Sequence, residues 1–251
     1  GTGSPIIDVI FGDRIVAPPS VQADLVERVY HLPCLLGYAP RDIIEDSTPL
    51  PCLEQPPTFG VFQRAVKVND DTLRVWRRVL EAVPDSRIIF KGGDYTSARR
   101  MKIAKAFAGL EARVEFGPAT VHSAHLNYYQ QIDLSLDPWP QTGGISSMES
   151  LSMGVPMVTL ARPGGRMIEY TSASILTNVG FTECITTNED DYVATAVRLV
   201  TTDRARLAEM RASAAQRLND SPIRVGYTAA VEKAYRDLWQ EWCAEQARKV
   251  A

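Results

Sequence analysis

Cysteine and histidine are scarce in this chain of 251 residues. Cys34, Cys52, Cys184 and Cys243 lie far apart and form no CxxC pair, and His31, His122 and His125 are the only histidines. A structural zinc site therefore has no ligand set to draw on, and no metal is expected. Thiols without a disulfide spacing suit a reducing, cytoplasmic setting. Long apolar runs are also lacking: none approaches the roughly 18 to 20 residues of a membrane span. The opening GTGSPIIDVIFGD has no basic leader and no extended apolar core, so it does not read as a signal peptide. GTGS is set aside as an expression remnant. Neither charge sign dominates, the net charge being −3 and the isoelectric point about 5.7. A general nucleic-acid or anionic-membrane binder is thus excluded, and any anionic ligand must be held by local groups. No GxGxxG follows the first regular strand, which argues against a plain NAD(P)-binding domain.

What is present describes a globular protein, with 45% hydrophobic and 23% charged residues. The length allows one large domain, or one ordinary domain and a substantial piece of another. PIIDVIF (5–11) reads as a short buried strand, and VQADLVERVYHL (21–32) as an amphipathic helix after a Pro-Pro-Ser start. The proline-rich passage 36–58 is the best linker candidate. Beyond it the pattern becomes regular. Strands over TFGVFQ, SRIIFKG, RVEFGP, IDLSLDPW, PMVTL and CITTN alternate with helices, the first of which carries Leu73, Trp76, Val79 and Leu80 on one face. This alternation predicts an α/β fold, a doubly wound parallel sheet over 58–187, with ligands at the carboxyl ends of its strands. Helices over 188–218 and 227–249 close the chain.

Three stretches fall on that predicted rim. In TGGISSMESLSMGVPMVTL (142–160), Gly143 and Gly144 let the backbone approach a ligand, while Ser146 and Ser147 are placed to cap a helix whose free N–H groups favour phosphate. Glu149, read as lying in the first turn, reaches for a ribose diol. An ordinary capped helix start fits the same letters. In FQRAVKVND, Arg64 and Lys67 follow a strand end, where two cations neutralise a diphosphate or simply make a solvated basic loop. In ATVHSAHLNYY, His122 and His125 are one helical turn apart and can stack on a base or serve structure alone.

In this order, over about residues 58–245, these stretches resemble the C-terminal half of the O-GlcNAc transferase family, inverting glycosyltransferases of the two-domain GT-B architecture. The resemblance rests on FxRxxK followed by TLRVWRRVLEAVPDS, on RVEFGPATVHSAH, and on IDLSLDPWPQTGGISSMESLSMGVPMVTL. It implies a Rossmann-like UDP-binding domain at 56–222, preceded by a remnant of the N-terminal domain and the interdomain connection at 1–55. Residues 223–251 would be a helix crossing back toward the N-terminal domain. Trp239, Trp242 and Tyr235 on that helix fit docking there, or equally a place in the core.

By the same resemblance, Lys67 contacts the diphosphate and stabilises the leaving group, with Arg64 where some relatives carry Gln. Backbone near Thr120 meets the uracil, His125 lies against the base, and His122 takes a place where relatives have Lys near base and ribose. Gly143, Gly144, Ile145, Ser146 and Ser147 form the phosphate-facing turn, and Glu149 takes the ribose position. Ile145 departs from the Thr of relatives, so the turn relies on backbone donors and serines. Tyr170 stands where relatives tend to have Arg. The implied activity is transfer of N-acetylglucosamine from its UDP donor to Ser or Thr of a protein acceptor, without metal or other cofactor. The general base lies outside this chain, which alone should bind UDP but transfer sugar poorly. Implied partners are the N-terminal GT-B domain and upstream tetratricopeptide repeats, with neither nucleic acid nor membrane involved. An asparagine-glucosylating enzyme and a non-catalytic Rossmann-like module are the alternatives.

Overall fold

The first two strands, β1 (Val9–Gly12) and β2 (Arg28–His31), pair in parallel, with Val9 opposite Arg28 and Gly12 opposite His31. The helix expected over 21–32 is therefore not there. In its place a 3₁₀ turn spans Pro19–Asp24 with no buried residue, and the chain then extends. Val29 and Tyr30 are good strand formers, and the hydrogen bonds of pairing with β1 outweigh an apolar spacing that had no core to face. The strand expected over 5–11 is shifted as well, with Ile6 and Ile7 exposed. This computed structural model describes residues 1–38 and 49–250, so the segment 39–48 of the linker candidate lies outside the described residues.

The main sheet has six parallel strands: β3 (Thr58–Val61), β4 (Arg87–Lys91), β5 (Val114–Gly117), β6 (Leu134–Leu136), β7 (Met157–Leu160) and β8 (Ile185–Thr186). Their spatial order is β5-β4-β3-β6-β7-β8. Helices on both faces explain why Ile88, Ile89 and Phe90 on β4 are all buried, as an apolar run without alternation requires. The helices are α1 (Asp70–Ala82), α2 (Ser97–Ala106), α3 (His122–Asn127), α4 (Ile145–Ser152), α5 (Thr171–Val179), α6 (Glu189–Thr201), α7 (Arg204–Asp220) and α8 (Tyr227–Val250).

Local chemistry sets the helix ends. The Asn69 side chain accepts the Thr72 N–H while the Thr72 hydroxyl accepts the Asn69 N–H, a reciprocal cap for α1. Two aspartates, Asp70 and Asp71, oppose the helix dipole in its first turn. Leu73, Trp76, Val79 and Leu80 are all buried, as their spacing predicts. The Trp76 indole N–H donates to the Tyr192 hydroxyl of α6 at 3.2 Å. Removing such a ring costs about 3–5 kcal/mol. Helix α5 stops at Gly180, whose φ of 75° is left-handed.

The β1–β2 pair is fastened to the rest at two places. The buried Asp13 carboxylate accepts N–H groups from Ile15, Val16 and Leu35 and the Ser174 hydroxyl of α5. Helix α8 lies along the pair: the Tyr30 hydroxyl donates to Asp237 at 2.7 Å, and Phe11 meets Tyr235 edge-on at 5.4 Å. Trp239 and Trp242 are not core residues: they stack on each other at 5.2 Å and remain exposed.

Candidate functional site

The sheet grows outward from β3 through β4 to β5, then returns to place β6 on the other side of β3. The point of reversal is therefore the β3–β6 gap, where loops leaving the two carboxyl ends diverge and open a crevice. Residues 62–67 leave β3 and residues 137–144 leave β6. They meet there. The Lys67 ammonium donates to the Thr142 carbonyl oxygen at 2.9 Å and to Gln63 Oε1 at 3.3 Å. Burial holds the Lys67 pKa below the usual lysine range; Asp137 pulls it back up and Arg64 adds to the fall. No carboxylate forms a direct ion pair with Lys67 among the described residues, so part of its charge is left for an incoming anion.

Asp137 organises the turn. One oxygen accepts the Gly143 N–H at 2.8 Å and the other the Thr159 hydroxyl at 2.7 Å. Burial raises its carboxyl to about 6 against the opposing pull of these bonds. Gly143 has no room for a side chain, since a Cβ would lie 1.9 Å from Ser147 Oγ and 2.7 Å from Gln63 Nε2. Thr142 ties three loops together. Its N–H and hydroxyl both donate to the Ile168 carbonyl beyond β7, and its hydroxyl accepts the Ser172 N–H.

Helix α4 begins otherwise than expected. Gly144 is the N-cap and no side chain caps it. Ser146 and Ser147 are instead committed laterally, Ser146 donating to Gln63 Oε1 at 2.8 Å and Ser147 meeting Ser172 at 3.0 Å. The N–H groups of Gly144, Ile145 and Ser146 have no protein acceptor among the described residues, which leaves the positive end of the helix open to an anion. Ile145 is exposed and adds no polar group. Glu149 is not in the first turn, because α4 starts at Ile145 and places it a turn further on. There it is buried and accepts from His122 Nε2 at 2.9 Å.

Two groups of expected residues are thus formed. Lys67, Gly143, Gly144, Ser146 and Ser147 surround the β3–β6 gap. Thr120, His122 and His125 lie beyond β5, where His122 meets Glu149 of α4. Phe62 and Tyr129 bridge them: their rings are 4.6 Å apart, His125 packs 5.8 Å from Phe62, and the Tyr129 hydroxyl donates to the Ser146 carbonyl at 3.1 Å. His125 is pushed down to about 4, chiefly by burial and then by the charges of Lys91 and His122, so it is a neutral ring at pH 7. The Arg64 side chain is exposed and makes no hydrogen bond or ion pair among the described residues, while its carbonyl accepts the Lys67 N–H at 3.0 Å. Tyr170 stands apart from both groups. Its hydroxyl donates to the Arg162 carbonyl and accepts the Gly165 N–H, closing the turn after β7.

Sequence reasoning passed over Gln63, Asp137, Thr142 and Lys91. Gln63 and Lys91 carried a visible signal, a long polar side chain at the carboxyl end of an apolar strand. Asp137 acts through its carboxylate on the Gly143 N–H and Thr142 through its carbonyl and hydroxyl, pairings that only the fold creates.

A profile of Glycosyl transferase family 41 matches residues 52–229. The chain belongs to that family. Similar proteins include the probable UDP-N-acetylglucosamine–peptide N-acetylglucosaminyltransferase SPINDLY of Arabidopsis thaliana, 35% identical over 96% of this chain and 27% of its own length. The Petunia hybrida protein of the same description is 34% identical over the same shares. Among solved structures, a mutant O-GlcNAc transferase of Thermobaculum terrenum superposes with a TM-score of 0.86 and 27% identity, over 98% of this chain and 47% of that one. The chain therefore spans about a quarter of those plant relatives and about half of the bacterial structure.

Proposed function

We infer that this chain is the donor-binding half of a UDP-sugar-dependent protein O-glycosyltransferase, taking N-acetylglucosamine to Ser or Thr by a single inverting displacement. The observation that carries this reading is a lysine with no direct carboxylate partner, Lys67, beside the open N-terminus of α4 at the sheet's point of reversal. The activities by which the relatives are named agree with it.

As the glycosidic bond breaks, negative charge accumulates on the departing diphosphate. Lys67 and the N–H groups of Gly144, Ile145 and Ser146 are already oriented where that charge develops, and such preorganised donors lower the barrier directly. On this reading Lys67 and these N–H groups supply that stabilisation without a metal. Glu149 takes the ribose once His122 yields its place, and the neutral His125 ring lies against the base. The acceptor side, with the general base, belongs to the N-terminal GT-B domain, and tetratricopeptide repeats upstream recruit protein acceptors. The wide spacing of the four cysteines supports a cytoplasmic setting on this reading.

Calorimetric titration with UDP, UMP, GDP, ADP and NAD tests the reading. UDP should bind in preference to the others, with no sugar transfer to protein. Absence of binding by every nucleoside diphosphate at millimolar concentration, or robust turnover by this chain alone, overturns it.

A further inference from the structure

Lys91 ends β4 with its side chain buried. Its register partner on β5 is Gly117, and its stem crosses the space where a side chain would otherwise stand: a Cβ on Gly117 would lie 3.1–3.3 Å from Lys91 Cβ, Cγ and Cδ. The ammonium emerges beneath the loop that follows β5. It donates to the Pro118 carbonyl at 2.7 Å and the Thr120 hydroxyl at 2.9 Å, and lies 4.3 Å from the centroid of the Tyr128 ring. Among the described residues no carboxylate pairs with it.

A buried cation with only neutral acceptors is expensive, and an apolar side chain of similar length would fill the same space at less cost. What Lys91 supplies beyond filling is orientation. It turns one carbonyl and one hydroxyl of the loop inward, while the N–H and C=O of the exposed Thr120 keep no partner among the described residues. A neighbouring donor and acceptor on the backbone match the hydrogen-bonding edge of a nucleobase, and the position of that pair decides which edge fits. The same ammonium, behind burial, helps to keep His125 uncharged, which suits a ring packed against a base.

Resting on the nucleotide reading above, we propose that Lys91 is a positioning residue for the nucleobase, fixing the loop at Pro118–Thr120 so that the Thr120 backbone meets the base in one register and selects among bases. Gly117 serves the same arrangement by leaving the stem of Lys91 a path. The role is distinct from that of Lys67, which acts on the diphosphate.

The test is titration of the 251-residue chain and of Lys91→Met with UDP, GDP, ADP and inorganic pyrophosphate, alongside urea unfolding. Lys91→Met should lower UDP affinity about tenfold and bring the UDP-to-ADP ratio toward one. Pyrophosphate binding and the unfolding midpoint should stay in place, a pattern that loss of structure would not give. Thr120→Val removes a single acceptor and should shift the ratio in the same direction by less; it carries the test if Lys91→Met fails to fold. Retention of UDP affinity and base preference within about twofold overturns the proposal, as does an equal loss for UDP and pyrophosphate. If the unaltered chain binds no nucleoside diphosphate, the nucleotide reading fails and takes this one with it. If that chain binds UDP and both variants behave like it, only this inference falls.

Discussion

Lys67 and Thr142 meet across the gap between β3 and β6: the ammonium donates to the Thr142 carbonyl oxygen at 2.9 Å, over a separation of 75 residues. The contact aligns a cation with the turn that opens α4, so two sources of positive potential converge on one place.

Affinity differences between ligands should separate the residues around that place. Lys67→Met is expected to weaken UDP by about 1.5–3 kcal/mol, the scale of a charge-assisted hydrogen bond, and UMP by less. Glu149→Ala should weaken both alike, because both carry the ribose. Calorimetry on the two variants reads this pattern directly, and an equal effect of Lys67→Met on UDP and UMP would remove the diphosphate from its neighbourhood.

Gly143→Ala tests the turn itself. The added Cβ would lie 1.9 Å from Ser147 Oγ and 3.0 Å from Asp137 Oδ1, so the turn must move or Ser147 must leave Ser172. Overpacking of this kind costs about 1–3 kcal/mol, to be read as a lower urea midpoint, and UDP binding should fall with it. Gly144→Ala is the control, since its Cβ would meet only Leu36 Cδ1 at 3.4 Å.

The stacked tryptophans of α8 give a third expectation. Trp239 and Trp242 are 62% and 50% exposed, so replacing both by Gln should change stability by no more than about 0.5 kcal/mol. Tyr235→Ala loses an edge-on contact with Phe11 and should cost about 1 kcal/mol. Thermal unfolding distinguishes the two. A large loss from the tryptophan pair would mean that they bury surface within this chain.

Much of this was legible beforehand because periodicity and topology act over short stretches. The apolar spacing of Leu73, Trp76, Val79 and Leu80 implied α1, and the alternation of strands with helices implied a parallel sheet and a rim. The strand at Arg28–His31 was not legible, since its residues also satisfy a helical spacing. At the site, Lys67 and Gly143 stood out by residue type and place. Gln63 was marked only as a long polar side chain past a strand end; its importance lies in holding Lys67, Ser146 and Asp137 at once, a convergence only the fold creates. The cap of α4 was misjudged for a related reason: Ser146 and Ser147 are good capping residues, but lateral partners claim them.

Two titrating groups, the buried Asp137 and the half-buried His125, should pull stability in opposite directions with pH. His125 titrates near 4 in the fold against an ordinary 6.5, so between those values the unfolded chain takes up a proton that the folded chain refuses. Its contribution is lost as pH falls from 6.5 toward 4. Asp137 titrates near 6 against an ordinary 3.8; there the folded chain holds a proton that the unfolded chain releases, and stability is gained as pH falls through that window. The full His125 effect would be about 3 kcal/mol, reduced to about 1–2 kcal/mol because the ring is only half-buried and water screens it. Relative to the unaltered chain, His125→Phe should therefore be more favourable at about pH 5 than at about pH 7.5. Asp137→Asn, which keeps an acceptor for the Gly143 N–H, should be less favourable at the lower pH. Urea midpoints for the three proteins at both pH values measure the two slopes. If His125→Phe follows the unaltered chain, the ring is free to charge in the fold, and its place against a neutral base would have to be given up.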